Sequence, residues 1–481
     1  MPTEQVESSR SSINEKPDVV MLKRQVGFIG GVSLIVGTII GSGIFISPKG
    51  VFANAGSLGT GLVIWSACGV LSMFGALTYA ELGTMIPKSG GEFPILLEAY
   101  GPIPAYLFAW TATVMLKPSS LCLLSLTFAK YALAPAYGDC DDVPELATKF
   151  TAAVVILTTV FCNCISVKLS TKVVTVFGIG KILSLVIIIV AGIVRFCQGY
   201  SENFSNSFSG TSPGIREVTM AFYQGLWAFD GWNQLNYVIE ELKDPYKTLP
   251  RALAASMLIV TGLYVMTNIA YFTTMTFDEL LASPAVAVTM GNVVLGVMVW
   301  IIPFAVSCSV FGTCVGSCFT AGRISYAAAR EGHFNQVLSM LQVKRLTPAP
   351  AVLLNGFIAL LMVIPNDFDT LVQYYSFATW AFYFATCSAL FYFRIKMPDR
   401  HRPVKVPIFI PIIFSICSLC LVLVPIIDNP QIQYFIAVLS ILFGLVFYFP
   451  FVHYKLKSKK IRKLNEFLQK MLLVALPEAD L

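Results

Sequence analysis

Apolar runs of roughly bilayer-spanning length alternate with short polar connections along almost the whole chain. Read at about 20 apolar residues per crossing, the pattern gives twelve spans: 30–56, 60–84, 102–133, 147–165, 172–196, 216–239, 251–275, 291–326, 349–365, 370–393, 406–427 and 432–453. An all-α polytopic membrane protein is predicted. The first 29 residues are polar and lack an apolar core followed by a small-residue cleavage site, so no cleaved leader is expected. After the last span, Lys455 to Leu476 reads as an amphipathic helix, with Ile461, Leu464, Phe467, Leu468, Met471 and Leu472 on one side. Its basic face suits either an inner membrane surface or packing on the protein body.

Two spans are interrupted near their middles, the first at Gly41-Ser42-Gly43 and the sixth at Trp227-Ala228-Phe229-Asp230-Gly231. Backbone in hydrocarbon gives up helical pairing only where it lines a cavity or is buried in protein, which makes matched breaks a pointer to a transport site. The breaks fall about 18 and 21 Å of helical rise into their spans, near the bilayer midplane. Five spans separate the two starts, so the broken helices enter from opposite sides. That is the arithmetic of an inverted five-plus-five repeat, over 30–196 and 197–395. Residues 396–453 then hold spans eleven and twelve, 1–29 form an N-terminal tail and 454–481 a C-terminal helix and tail.

Composition agrees with lipid as the solvent: 56% of the residues are hydrophobic and 12% charged, which excludes an ordinary soluble domain. The net charge of +6 reflects topology rather than nucleic-acid binding. Lys88, Lys168, Lys172, Lys243, Lys247, Arg251, Arg323, Arg330, Lys344, Arg345, Arg394, Lys396, Arg400, Arg402, Lys405 and the 455–470 cluster fall on one set of connections. The opposite connections 276–290, 366–369 and 428–431 contain no Lys or Arg, so both termini are expected in the cytoplasm. Eleven of the twelve cysteines lie in or beside apolar spans, where Cys packs as a small apolar residue. Cys140 stands in an exoplasmic loop, which suits an intermolecular disulfide or a free surface thiol. Asn203-Phe-Ser205 is a glycosylation sequon in another.

At the first break, Gly41 and Gly43 allow close backbone approach, and the half-helix that follows presents unpaired N–H groups to a carboxylate. Carbonyls of Ile39 and Ile40 would face an ammonium. Together they complement an amino-acid zwitterion; tight helix packing is the competing use of such glycines. Asp230 is an acid within a span, costly unless it has a partner or a wet cavity. It suits the distal cation of a lysine or arginine substrate, or else a structural bridge to Lys117 or Lys181. Trp227 and Trp232 flank it and could cap a pocket. Lys181, in apolar surroundings in span five, suits the place of a coupling Na⁺, or else snorkelling or a bridge to Glu81. Glu81 itself reads as a helix-end acid. No hydrolase, zinc or nucleotide motif occurs, so neither enzyme nor cofactor is expected.

Val36-Gly-Thr-Ile-Ile-Gly-Ser-Gly-Ile-Phe45, Ala80-Glu-Leu-Gly83, Lys88-Ser-Gly-Gly-Glu92, Gly225 to Tyr237 and Arg345-Leu-Thr-Pro-Ala-Pro350 resemble the light chains of heteromeric amino-acid transporters. Within them the chain is most similar to the b0,+-type exchangers of cystine and dibasic amino acids. The resemblance implies a LeuT-like (APC) fold and sodium-independent obligatory exchange. It implies that Ile39, Ile40, Gly41, Ser42 and Gly43 hold the substrate's carboxylate and amino group, with Trp227, Ala228, Phe229 and Asp230 at the second break. Trp227 would be an aromatic gate and Asp230 the cation selector. Trp380 and Tyr383 would stand near the pocket, with Ser119 where close relatives carry Thr. Lys181 matches a lysine associated with sodium independence. Cys140 matches the cysteine that bonds a single-pass heavy-chain glycoprotein of the rBAT type, at the plasma membrane of epithelia.

Overall fold

The computed structural model describes residue 24 and residues 26–137, 143–211, 214–283, 286–296, 299–365, 368–428, 430–456 and 459–476. Eight helices among them are long and apolar enough to cross a membrane, and Phe28–Ile39 with Gly43–Ala55 forms a further span bent by 49°. Three expected spans remain. The sixth is split into Ile215–Ala228 and a tight 3₁₀ stretch, Gln234–Glu241. The ninth is the short Ala349–Met362, and the tenth is Phe368–Lys396. All twelve predicted spans therefore appear as helical segments. They are called spans 1 to 12 in chain order.

Several of the contacts between spans recur as an inverted repeat requires. Spans 1 and 6, 2 and 7, and 3 and 8 pack against each other, and each pair maps onto itself when the two five-span halves are exchanged. Contacts of 3 with 4 recur as 8 with 9, 3 with 9 as 8 with 4, and 1 with 7 as 6 with 2. Spans 11 and 12 lie outside this pattern, against spans 10, 2, 3 and 6.

Two boundaries differ from expectation. Residues 291–300 were expected to begin span 8, yet that helix is Ile301–Arg330, and Val286–Leu295 is a separate helix before it. Gly296, just after the first of them, holds φ +51°, a conformation that glycine adopts without steric cost. Span 3, Pro102–Tyr137, is longer than predicted and contains a wide π-helical stretch, Ala112–Leu116. Pro118 lies just beyond, and its missing N–H removes one rung of the α-helical ladder there.

Buried charge ties the basic side together. Glu81 is fully buried and accepts from Arg394 at 3.0 and 2.5 Å and from the Val406 amide at 2.8 Å. It is an inter-span anchor rather than a helix-end acid, and it does not meet Lys181. Arg323 pairs with Glu241 at 3.0 Å, and Arg330 grips Glu240 with two nitrogens at 2.9 and 3.0 Å. The C-terminal helix Lys459–Leu472 is held to the body by Val474–Ala475, which pairs antiparallel with Leu341–Gln342. Its Leu464, Phe467 and Met471 remain exposed. Asn203 of the sequon spends its amide on Phe272 O and Met275 O, both at 3.0 Å, bonds that a glycan at that nitrogen would break. Cys140 lies outside the described residues.

His333, just after span 8, is buried between Phe93 and Tyr106, at ring distances of 5.1 and 6.1 Å. Burial lowers its pKa from the ordinary 6.5, against the opposing pull of Glu331. A base that stays neutral in the fold binds fewer protons than in the unfolded chain, so stability is lost as pH falls below about 6.5. Thermal unfolding of the purified protein between pH 7.5 and 5.5 should therefore show a smaller acid-side decline for His333→Gln than for the wild type. Equal declines would place the acid sensitivity elsewhere.

Candidate functional site

The two breaks meet backbone to backbone. A Cβ on Gly43 would stand 2.5 Å from Ala228 Cα, and one on Gly41 would press on Thr313 at 3.2 Å. Gly231 holds φ +112°, so the second break also requires glycine. Tyr264, from span 7, reaches between them: its hydroxyl lies 2.9 Å from Ile39 O and 3.1 Å from Ala228 O. One cavity of about 50 Å³ results, room for a few waters but not for an amino acid unless its walls move apart.

Five spans supply the walls. Thr38, Ile39, Gly41, Ser42 and Gly43 come from the first break, and Trp227, Ala228, Asp230 and Gln234 from the sixth span. Span 3 adds Lys117, Ser120, Leu123 and Leu124, span 8 adds Thr313 and Ser317, and span 10 adds Tyr375. Several expected site residues stand behind these. Ile40 is buried off the cavity wall, Phe229 packs on Trp65 and Tyr264, and Trp380 on Tyr383 and Phe414. Trp232 does not cap the cavity; it is wedged among Tyr79, Tyr383 and Phe414. Ser119 turns away to the Met362 sulfur at 3.4 Å, while its neighbour Ser120 faces the cavity and Ser317.

The carbonyl half of the expected zwitterion clamp needs correction. Ile39 O already accepts from the Gly41 amide at 2.7 Å and from Tyr264, and Ile40 O from Ser309 at 3.2 Å and Thr313 at 3.4 Å. Hydroxyls from spans 7 and 8 have taken those lone pairs. On the donor side, the amides of Ser42, Gly43 and Ile44 have no acceptor among the described residues and lie at the start of the 13-residue helix Gly43–Ala55. Such a helix start favours an anion.

Asp230 is held by phenols rather than by a cation. Tyr383 donates to Oδ1 at 2.9 Å and Tyr375 to Oδ2. A carboxylate offers about four acceptor positions, so each oxygen retains capacity for another donor. Among the described residues neither Lys117 nor Lys181 forms an ion pair with it. Lys117 donates to Gln234 Oε1 at 3.3 Å and lies 4.3 Å from the Tyr237 ring centre. The Tyr237 hydroxyl in turn donates to Glu92 at 2.8 Å. Lys181, at 1% exposure, donates to Gly37 O at 2.5 Å and Thr313 Oγ1 at 2.6 Å, which joins spans 1, 5 and 8 beside the break. It neither snorkels nor bridges to Glu81.

A cavity between two broken membrane helices, lined by an acid and by amides without an acceptor among the described residues, defines a membrane transporter for small polar solutes. The chain belongs to the amino acid permease family, which it matches over residues 26–447. Among its relatives, the mouse b(0,+)-type amino acid transporter 1 is 49% identical over 98% of both chains. The human cystine/glutamate transporter is 42% identical over 97% of this chain and 94% of its own. The human large neutral amino acids transporter small subunit 2 is 42% identical over 96% and 87%. The light-chain resemblance read from the motifs thus holds over nearly the full length. The protein is an amino-acid transporter and not an enzyme.

Proposed function

We propose that the protein is a sodium-independent obligatory antiporter, importing cationic amino acids and cystine in exchange for intracellular neutral amino acids. Asp230 carries this reading, because it is the acid that lines the cavity and its oxygens are occupied only by neutral donors. The amides of Ser42, Gly43 and Ile44 receive the substrate carboxylate. Asp230 then receives the distal ammonium or guanidinium. Lys181 supports sodium independence: a fixed ammonium already occupies the carbonyl and hydroxyl oxygens that a coupling ion would need. Exchange of a cationic for a neutral amino acid moves one net charge, worth about 2.3 kcal/mol per 100 mV, so membrane potential favours cation entry.

The working assembly is a heterodimer at the plasma membrane, apical in epithelia, with both termini cytoplasmic. A single-pass heavy-chain glycoprotein of the rBAT type would be joined through Cys140. Support comes from span 4, Glu145–Ile165, which follows that cysteine in the chain. Leu146, Phe150, Val154, Leu157 and Phe161 form an exposed apolar stripe along it, spaced to meet another membrane helix.

Counterflow of labelled arginine, cystine and leucine in proteoliposomes, with and without Na⁺, tests the proposal. All three should accumulate against an unlabelled internal amino acid, equally in Na⁺ and in choline. Uptake into empty vesicles that collapses without an ion gradient would establish a symporter instead.

A further inference from the structure

Lys117 has no part in the function proposed above, yet it lines the same cavity as Asp230. It follows the wide turn Ala112–Leu116 directly and is only 7% exposed. An ammonium carries three donors, and the partners of this one are neutral: the Gln234 oxygen at 3.3 Å and the face of Tyr237 at 4.3 Å. Among the described residues it forms no ion pair. The cavity wall therefore holds two opposite charges, each in direct contact with neutral groups only, close enough to act on one another through charge, and each with donor or acceptor capacity to spare.

A transporter that exchanges cationic for neutral substrates has an electrostatic difficulty at Asp230. With a cationic substrate bound, the carboxylate is paired. With leucine bound, it is buried without a counter-charge, which is costly in a low-dielectric site. A cation fixed on Asp230 would cure the second condition and obstruct the first. A cation on a flexible four-carbon stem serves both.

We propose that Lys117 is a tethered counter-cation, which pairs with Asp230 when a neutral amino acid occupies the site and withdraws to Gln234 and Tyr237 when a cationic side chain arrives. The inference rests on the reading of Asp230 as the cation selector. The structure holds the withdrawn position. Glu92 makes that position hospitable, since it accepts from the Tyr237 hydroxyl at 2.8 Å and so places a carboxylate at the edge of the ring that the ammonium faces. With a neutral substrate the Lys117–Asp230 pair sums to zero charge. With arginine the site carries the one charge that crosses.

The test is a double-mutant cycle on purified protein in proteoliposomes, with leucine/leucine and arginine/arginine homoexchange measured separately. Lys117→Met should lower the leucine-to-arginine ratio of exchange rates by about tenfold or more, as a buried carboxylate is left unpaired only on the neutral leg. Adding Asp230→Asn to Lys117→Met should restore leucine exchange to within about threefold of wild type, because the two residues are coupled. Lys117→Gln, which can keep a hydrogen bond to Gln234, replaces the Met variant if the latter does not fold. Equal loss of both exchanges by Lys117→Met, with no leucine recovery in the double variant, would make Lys117 a structural partner of Gln234 and Tyr237 and overturn the proposal. An unchanged ratio would overturn it as well. Full arginine exchange in Asp230→Asn alone would instead remove the selector on which the proposal stands, and a lost ratio with an intact selector separates the two failures.

Discussion

Asp230→Asn should reduce arginine exchange by roughly 10- to 150-fold while leucine exchange stays within about threefold of wild type. A hydrogen bond to a charged partner contributes about 1.5–3 kcal/mol, and each 1.4 kcal/mol is tenfold. The change is nearly isosteric: the amide oxygen still accepts from one tyrosine, and the other phenol can turn to accept from the amide nitrogen. The packing of Tyr375 and Tyr383 around position 230 is therefore preserved, and the quantity removed is charge. Leucine has no distal cation and loses nothing directly, while Lys117 keeps its resting place on Gln234 and Tyr237. Initial rates of labelled arginine and leucine uptake into amino-acid-loaded proteoliposomes measure both. Equal losses for the two substrates would reduce Asp230 to an anchor for the two tyrosines.

Much of this architecture is legible in one sequence because the bilayer imposes simple rules. Run length marks the spans, and glycine-rich interruptions in otherwise apolar segments mark the broken ones, since only a cavity tolerates unwound backbone at that depth. An acid beside such an interruption then stands out. Where the break comes from backbone geometry rather than hydropathy, as at Gly296, the run of apolar residues gives no sign and the span start is misplaced.

The side of a helix that meets the cavity was harder to read. Ser119 and Ser120 are both plausible, and the choice between them depends on the wide turn Ala112–Leu116, which rotates the rest of span 3 relative to an α-helix of constant pitch. Pro118 was the available signal, because a missing N–H predicts a local departure from the α-helical ladder. Satisfaction of the Ile39 and Ile40 carbonyls depends on Tyr264, Ser309 and Thr313, more than 220 residues away. No local pattern announces that three hydroxyls converge there. Tyr375 is likewise one aromatic residue among many in its span until Asp230 is placed beside it.

Lys181→Met should depress arginine, leucine and cystine exchange together by at least about tenfold, in contrast to the selective loss at Asp230. The ammonium does not itself line the cavity; it acts through Gly37 O and through Oγ1 of the wall residue Thr313, which it joins at 2.5 and 2.6 Å. Removing it leaves a buried carbonyl and a buried hydroxyl short of a charged donor, at about 1–3 kcal/mol for each unsatisfied group. Thr313 also lies 3.3 Å from Gly37 O, so the hydroxyl can recover part of that loss by turning its proton there. What cannot be recovered is the tie of span 5 to the first half of span 1, the segment whose position shapes the Gly41-Ser42-Gly43 break. A loosened break misplaces the free amides that receive the carboxylate common to every substrate, which is why the loss should be uniform. Parallel measurement of exchange rates and of thermal unfolding in the purified variant separates a transport defect from misfolding. A loss confined to cationic substrates would instead show that Lys181 acts on the side-chain end of the site.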